Sequence, residues 1–310
     1  MNTPAHYYAH GKLLLSGEYA VLDGALAWAV PTRFGQWLEI YEDSPGLLVW
    51  QALDFEHIPW FEATLKLSDL SVVQYSDKGF ANRLKDILKA VRVQNPDFLK
   101  TSQGTKVVTR LEFPQDWGLG SSSTLISLIA EWTQVDAFQL LSETFGGSGY
   151  DIACAKSDNP ILFNRLQGHP IWEVCTHLPP FKENIYFVHL GQKQNSREGI
   201  ARYRESGADF NKLSMEVTLC TVTLQAAQQL DTFQQAMEWH ESIIAEALQL
   251  EKVKEKLFPD FEGSIKSLGA WGGDFIMVAT ALPTMEVLAY FNNKGYDTVL
   301  TWDEMVLSAA

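Results

Sequence analysis

Between Pro114 and Trp132 the chain reads PQDWGLGSSSTLISLIAEW, with two glycines and three consecutive serines between a strand-like segment and an apolar stretch of helical spacing. A helix N-terminus carries unpaired amides and about half a positive charge, and so attracts phosphate. Glycine lets the backbone approach a ligand closely, and serine hydroxyls donate to phosphate oxygens or ligate magnesium. Gly118, Leu119, Gly120, Ser121, Ser122 and Ser123 therefore form a candidate phosphate cradle, with a plain serine N-cap after a glycine turn as the competing reading. Two better-known phosphate loops do not fit. No GxxxxGK(S/T) occurs, and Ser123 stands where GxGxxG needs its third glycine.

The surroundings of this loop predict an α+β layout, with runs of strands and runs of helices. GKLLLSGEYAVLDG, FGQWLEIYED and GLLVWQALDFE read as strands and turns. Leu84, Ile87, Leu88 and Val91 then make the stripe of an amphipathic helix. TKVVTRLEF is a strand ending near Phe113, and TLISLIAEW and DAFQLLSETF are helices that precede GGSGYDIACAKSDNP. Strands resume at ILFNR, HPIWEVCT and NIYFVHLG, and a mostly helical block runs from Ser196 to about Leu257. GSIKSLGAWGGDFIMVAT, PTMEVLAYFNNKG and DTVLTW close the chain as strand, turn, strand, helix and strand. The length of 310 residues suits two joined domains, 1–170 and 171–310, with the boundary loosely between Asn164 and Asn184.

The net charge of -14 argues against a general nucleic-acid or anionic-membrane surface, while leaving room for a local basic pocket. Cys154, Cys175 and Cys220 are unclustered, which predicts buried reduced thiols and neither a disulfide framework nor a metal site. No apolar run approaches a membrane span, and the N-terminus lacks a signal-peptide pattern, so a cytoplasmic protein, monomer or homodimer, is expected.

Three further stretches carry chemistry. In HGKLLLSGEYAVLDG, Lys12 is placed to neutralise transferring phosphate charge or to snorkel at a strand end; Glu18 pairs with Lys12, sits near a nucleotide-metal complex, or makes an ordinary ion pair. In FGGSGYDIACAK, Asp151 follows a glycine-rich turn, as a helix cap or as a carboxylate that accepts a proton from a substrate hydroxyl. Gly269, Gly272 and Gly273 lie between two strands, as a hairpin turn or as a close approach to nucleotide phosphates.

These elements in this order, a lysine-containing strand, GLGSSS, GSGYD and a late glycine turn, resemble the GHMP kinases over nearly the whole chain. GKLLLSGEYAVLDG is similar to the family's first motif, PQDWGLGSSSTL to its second and LGAWGGDF to its third. The resemblance implies an N-terminal domain like ribosomal protein S5, a ferredoxin-like C-terminal domain, and ATP and substrate between them. It implies that Gly118, Gly120, Ser121 and Ser122 hold phosphates and Mg2+, with Ser122 as the metal-ligating serine, that Asp151 is the base, and that Lys12 orients or activates the reacting groups. Glu143 is the nearest acidic Mg2+ ligand upstream of the SGxD motif.

Within the family, GEYAVLDG and GSGYDIACA look most like the mevalonate and phosphomevalonate kinase branch, which belongs to isoprenoid precursor biosynthesis. GQKQNSREG is similar to that branch's TGxxxST segment, so Lys193, Ser196 and Arg197, with Glu18, are expected to meet a small acidic substrate; a solvated helix start is the plain alternative. Two departures stand out. His10 replaces a common proline, and GAWGGD replaces a GAGGGG-like run, which brings Trp271 and Asp274 to the phosphate end of the turn. A degenerate homologue that binds nucleotide or metabolite without turnover is therefore an alternative, as is a kinase for homoserine or a sugar. A decarboxylase of this family or a hydrolase using Ser148 is less consistent, since decarboxylases usually lack this type of first motif and no GxSxG elbow surrounds Ser148.

Overall fold

The computed structural model describes residues 5–100, 103–192, 196–271 and 274–308. Its contacts divide the chain into two compact units that interleave along the sequence: Met1–Gly11, Phe34–Gln115 and Gly120–Lys156 form one, and Lys12–Arg33, Asp116–Leu119 and Ser157–Ala310 the other. Two long strands, β1 (Ala5–Ser16) and β2 (Ala27–Asp43), supply residues to both.

The first unit adds β3 (Leu47–Leu53), β4 (Pro59–Lys66), β5 (Val72–Tyr75), α1 (Lys78–Gln94), β6 (Gly104–Leu111), α2 (Ser121–Thr133), α3 (Ala137–Thr144) and α4 (Tyr150–Ala155). Its strands run in the order β5-β4-β3-β6-β2, where β3 and β6 are parallel and the other neighbours antiparallel. Asp77 caps α1 by accepting the Phe80 amide at 2.9 Å, which satisfies one of the helix's unpaired donors. The expected stripe Leu84, Ile87, Leu88 and Val91 is buried and joins Leu38, Trp50, Leu65 and Val107 of the strands and Ile126 and Ile129 of α2 in one core. Each such side chain contributes roughly 1.5–3 kcal/mol by leaving water. β4 and β5 were not anticipated. They end the sheet, and β5 keeps three of its four residues exposed, so the apolar runs that mark buried strands are missing there.

The second unit contains β7 (Ile161–Leu166), β8 (His169–Val174), β9 (Ile185–His189), α5 (Ser196–Glu205), α6 (Phe210–Ala226), α7 (Leu230–Leu248), α8 (Val253–Leu257), β10 (Ser264–Ser267), β11 (Phe275–Ala279), α9 (Thr284–Asn293), β12 (Val299–Thr301) and α10 (Trp302–Met305). β7 pairs with Ala27–Ala29 of β2 and with β8, while β10-β11-β9-β12 form an antiparallel sheet of four strands. Helices α7 and α8 pack on β10, and α6 lies beside α7. Tyr186, Val188, Ile265, Ile276, Val278, Phe258 and Phe291 form the core of that sheet.

One predicted strand is shorter than expected. In DTVLTW the strand stops at Thr301, because Thr301 and Glu304 make a capping box that turns Trp302 into the first residue of α10. None of the three cysteines is in a disulfide, and all three are buried. Among the described residues no helix is long and apolar enough to cross a membrane.

Candidate active site

Lys12 is fastened twice to the segment that leads into the serine run. Its amide donates to the Leu119 carbonyl at 3.0 Å, and its Nζ donates to the Gly118 carbonyl at 3.0 Å. The ammonium is half-buried and bonds a loop carbonyl 106 residues away in sequence. The same segment is held from β9 and β11: His189 Nε2 lies 3.2 Å from the Asp116 carbonyl, and Trp117 meets Phe275 edge to face at 5.6 Å. Gly118 has φ +66°, and a Cβ built on it would lie 2.5 Å from the Asp274 carboxylate. Only glycine fits there, because an L side chain would be strained by the backbone and blocked by Asp274.

In the first unit, α2 begins at Ser121 with Gly120 as its N-cap, in the left-handed region at φ 89°. No side chain caps the helix, which removes the serine N-cap reading. Ser123 is buried and donates instead to the Gly120 carbonyl at 2.8 Å, whereas Ser121 is half-buried and Ser122 exposed. Thr124 Oγ1 bonds Gln36 Oε1 at 2.6 Å and fixes the first turn to β2.

The same local design recurs at Asp151. Gly149, at φ 92°, is the N-cap of α4, so Asp151 lies in the first turn and is not itself the N-cap residue. Asp151 is the second helical residue, half-buried, with Oδ1 3.2 Å from the Ile152 amide. Phe138 lies 3.0 Å from where a Gly149 Cβ would be, which packs the turn against α3.

Glu18 does not pair with Lys12. It is bound by Lys266 of β10, and both side chains are fully buried. Lys266 also donates to the Ser267 carbonyl at 2.8 Å. Two neighbours from α7 complete the cluster. His240 Nε2 accepts the Gly17 amide at 3.1 Å, and Glu241 accepts the Ser267 amide and hydroxyl, each at 3.0 Å. Burial and the Lys266 charge hold His240 well below its ordinary pKa, so the imidazole is neutral. Its 3.2 Å approach to Glu18 Oε2 is therefore a contact of polar atoms and not an ion pair. Burial pushes the Glu18 carboxyl up while Lys266 pulls it down. Glu241 is pushed up to about 7 by burial, against the opposing pull of Lys266 and of the Ser267 bonds.

Tyr19 joins three segments of the second unit. Its φ of 59° with ψ -49° is a strained conformation for a non-glycine residue. The hydroxyl accepts the Trp271 amide at 3.1 Å, the ring stacks on Tyr203 at 5.6 Å, and the hydroxyl lies 2.5 Å from where a Gly199 Cβ would be. The Trp271 ring packs with Tyr19, Tyr203, Ile244 and Leu248 and is 8% exposed, so the turn directs its bulk into the core. Tyr19, Gly199, Arg202, Lys256 and Trp271 line a cleft of about 240 Å³.

The remaining expected residues are scattered. Gly269 has φ +62° in open space, as a hairpin turn requires. Ser196 starts α5 and Arg197 follows it, exposed. Lys193, Gly272 and Gly273 lie outside the described residues. Glu143 is exposed on α3, where it accepts Gln139 Nε2 at 2.8 Å, and no group of three His, Cys, Asp or Glu able to hold a metal occurs among the described residues.

Lys266, His240, Glu241 and Tyr19 were not singled out by their sequence context. One signal was present: His240 and Glu241 sit on the face of α7 that carries Phe233, Met237 and Ile244, where polar side chains must be buried.

No family model and no curated protein matches the chain. Solved structures do. The Methanococcus jannaschii mevalonate kinase superposes with a TM-score of 0.73 at 15% identity, over 99% of this chain and 99% of its own. Lactococcus lactis galactokinase complexed with galactose gives 0.71 at 10% identity, over 100% and 95%. Streptococcus pneumoniae phosphomevalonate kinase in complex with phosphomevalonate and AMPPNP gives 0.69 at 14% identity, over 96% and 99%. This chain thus has the fold of the GHMP kinases, shared with mevalonate kinase, phosphomevalonate kinase and galactokinase.

Proposed function

We propose that the protein is an ATP- and Mg2+-dependent small-molecule kinase that transfers the γ-phosphoryl group to a mevalonate-type acid, either mevalonate or phosphomevalonate. The observation that carries this reading is the attachment of Lys12 to Gly118 and Leu119, through main chain and side chain together. A lysine spent this way places one fixed positive charge on the loop that opens α2, and phosphoryl transfer chiefly demands positioning and charge neutralisation.

The residues suit a nucleotide's phosphates. Gly120 opens α2 without a side-chain cap, so the first amides of the helix are left for water or a ligand. Gly118, Leu119, Gly120, Ser121, Ser122 and Ser123 would cradle the phosphates, with the exposed Ser122 hydroxyl turned to Mg2+ and Glu143 the remaining acidic candidate. Magnesium supplies charge neutralisation at the transferred group when bound. Asp151 would accept the proton of the attacking hydroxyl, or orient the attacking phosphate oxygen of a phosphorylated acceptor. Glu18 acts from inside the Lys266 pair, by fixing the Gly17–Tyr19 backbone. Lys193, Ser196 and Arg197 are the proposed contacts to the acceptor's acidic group, and Gly269, Gly272 and Gly273 the turn proposed to approach the nucleotide phosphates.

The printed ligands of the structural neighbours, phosphomevalonate with AMPPNP and galactose, support a small acceptor but divide between an acid and a sugar. The acidic branch is favoured by GEYAVLDG and GSGYDIACA. The burial of the Trp271 ring supports turnover over a degenerate binder, since the indole does not fill the turn. A coupled ADP assay across mevalonate, phosphomevalonate, homoserine and galactose tests the reading. Saturation by mevalonate or phosphomevalonate is expected, and saturation by galactose alone overturns the choice of acceptor.

A further inference from the structure

Asp274 is the feature of the late turn that the kinase reading leaves without a role. Its carboxylate occupies the space over the Cα of Gly118: Cγ and Oδ2 both lie 2.5 Å from where a Cβ on Gly118 would be. Its main chain is pinned as well, since the Leu190 amide donates to the Asp274 carbonyl at 2.9 Å. The carboxylate is half-buried, so it is partly shielded from water next to the loop.

Gly118 thus has a lysine ammonium on its carbonyl oxygen and a carboxylate over its Cα. A polyanion that meets the Lys12 charge at this loop therefore also meets a carboxylate at Gly118. The whole chain adds to this, because its net charge of -14 repels free nucleotide at long range. Like charges repel more strongly where water is partly excluded, so a carboxylate in this place disfavours a bare triphosphate. A divalent cation reverses the sign of that interaction, since it is attracted to the carboxylate and to phosphate oxygens alike.

We infer that Asp274 makes nucleotide binding at Gly118 conditional on a divalent cation, by repelling the metal-free polyphosphate and favouring its Mg2+ complex. The inference rests on the kinase reading and concerns how its phosphate loop selects the form of the nucleotide. Asp274 is here a specificity-determining residue. The aspartate at the end of GAWGGD then acts as a filter in place of a neutral glycine.

The test is calorimetric titration of the full-length protein and of Asp274→Asn with AMPPNP, in excess Mg2+ and in EDTA, after circular dichroism has shown that the variant is folded. The wild-type protein is expected to bind in Mg2+ and far more weakly in EDTA. In Asp274→Asn the EDTA affinity rises and the Mg2+ affinity falls, so the ratio between them contracts by about tenfold or more. Equal weakening under both conditions would make Asp274 a loop clamp, and an unchanged ratio would leave it inert; either result overturns the inference while the kinase reading stands. Should Asp274→Asn fail to fold, Asp274→Ala supplies the same comparison, with the charge likewise removed. No AMPPNP binding by the wild-type protein in Mg2+ contradicts the kinase reading itself, and the inference with it.

Discussion

Glu18 and Lys266 form an ion pair across 248 residues of sequence, with both side chains at 0% exposure. The pair ties the segment after Gly17 to the strand that leads into the GAWGGD turn, so two of the chain's motifs share one buried charge cluster. Removing one partner leaves an uncompensated buried charge, whereas removing both does not. Lys266→Met is therefore expected to lower unfolding stability by about 3–5 kcal/mol, and Glu18→Gln with Lys266→Met by clearly less. Urea denaturation of the three proteins measures this. A double variant as unstable as the single one would show that packing, and not charge, holds the segment.

Glu241 gives the fold a pH dependence of definite sign. Its folded pKa of about 7 lies above the ordinary value of 4.5, so the native state binds more protons than the unfolded state in that window. Stability from this group is present below about 4.5 and is lost as the pH rises towards 7, by about 3 kcal/mol in total. His240, held below its ordinary value, works in the opposite direction and gains stability as the pH rises to 6.5. The difference between wild type and Glu241→Gln isolates Glu241: the wild-type protein should lose ground steadily between pH 4.5 and 7 and remain level above. Parallel curves across that range would rule out the titration of Glu241.

Most of the strands and helices apart from β4 and β5, the amphipathic stripe of α1 and the glycines before α2 were legible because each is a local pattern. Helical spacing and glycine before a helix act over a few residues. The charge cluster was not legible. Glu18, Lys266, His240 and Glu241 meet through tertiary packing, and nothing in GSIKS or AMEWHESII says which partner each buried charge takes. Lys12 lay between these cases: its strand was plain, but its bond to Gly118 depended on the fold. The N-cap positions of α2 and α4 fall to Gly120 and Gly149, and not to a serine or to Asp151, a point that local sequence left open.

Gly118→Ala should disrupt the proposed phosphate loop. The added Cβ meets the Asp274 carboxylate at 2.5 Å on a backbone with φ +66°, and a left-handed non-glycine residue costs about 1–3 kcal/mol. Binding of AMPPNP with Mg2+ is expected to weaken by at least tenfold while the first-unit core persists, and calorimetry reads it. Shortening the opposing side chain in Gly118→Ala with Asp274→Ala should recover part of the thermal stability but not the backbone strain. A Gly118→Ala protein indistinguishable from wild type in binding would contradict the close approach.

Tyr19→Phe removes the acceptor of the Trp271 amide while keeping the ring stacked on Tyr203. A buried amide left without its partner costs about 1–3 kcal/mol. Thermal unfolding should show a lowered Tm, and amide exchange at Trp271 should accelerate. An unchanged exchange rate at that position would mean that the hydroxyl does not hold the turn.

The most direct measurement is ADP release by the wild-type protein and by Asp151→Ala, with ATP, Mg2+ and either mevalonate or phosphomevalonate. The expected result is saturable turnover that falls by about 10²–10⁴ in the variant, with circular dichroism and Tm close to wild type. Turnover that survives intact in a folded Asp151→Ala protein would contradict the assignment of Asp151 as the base.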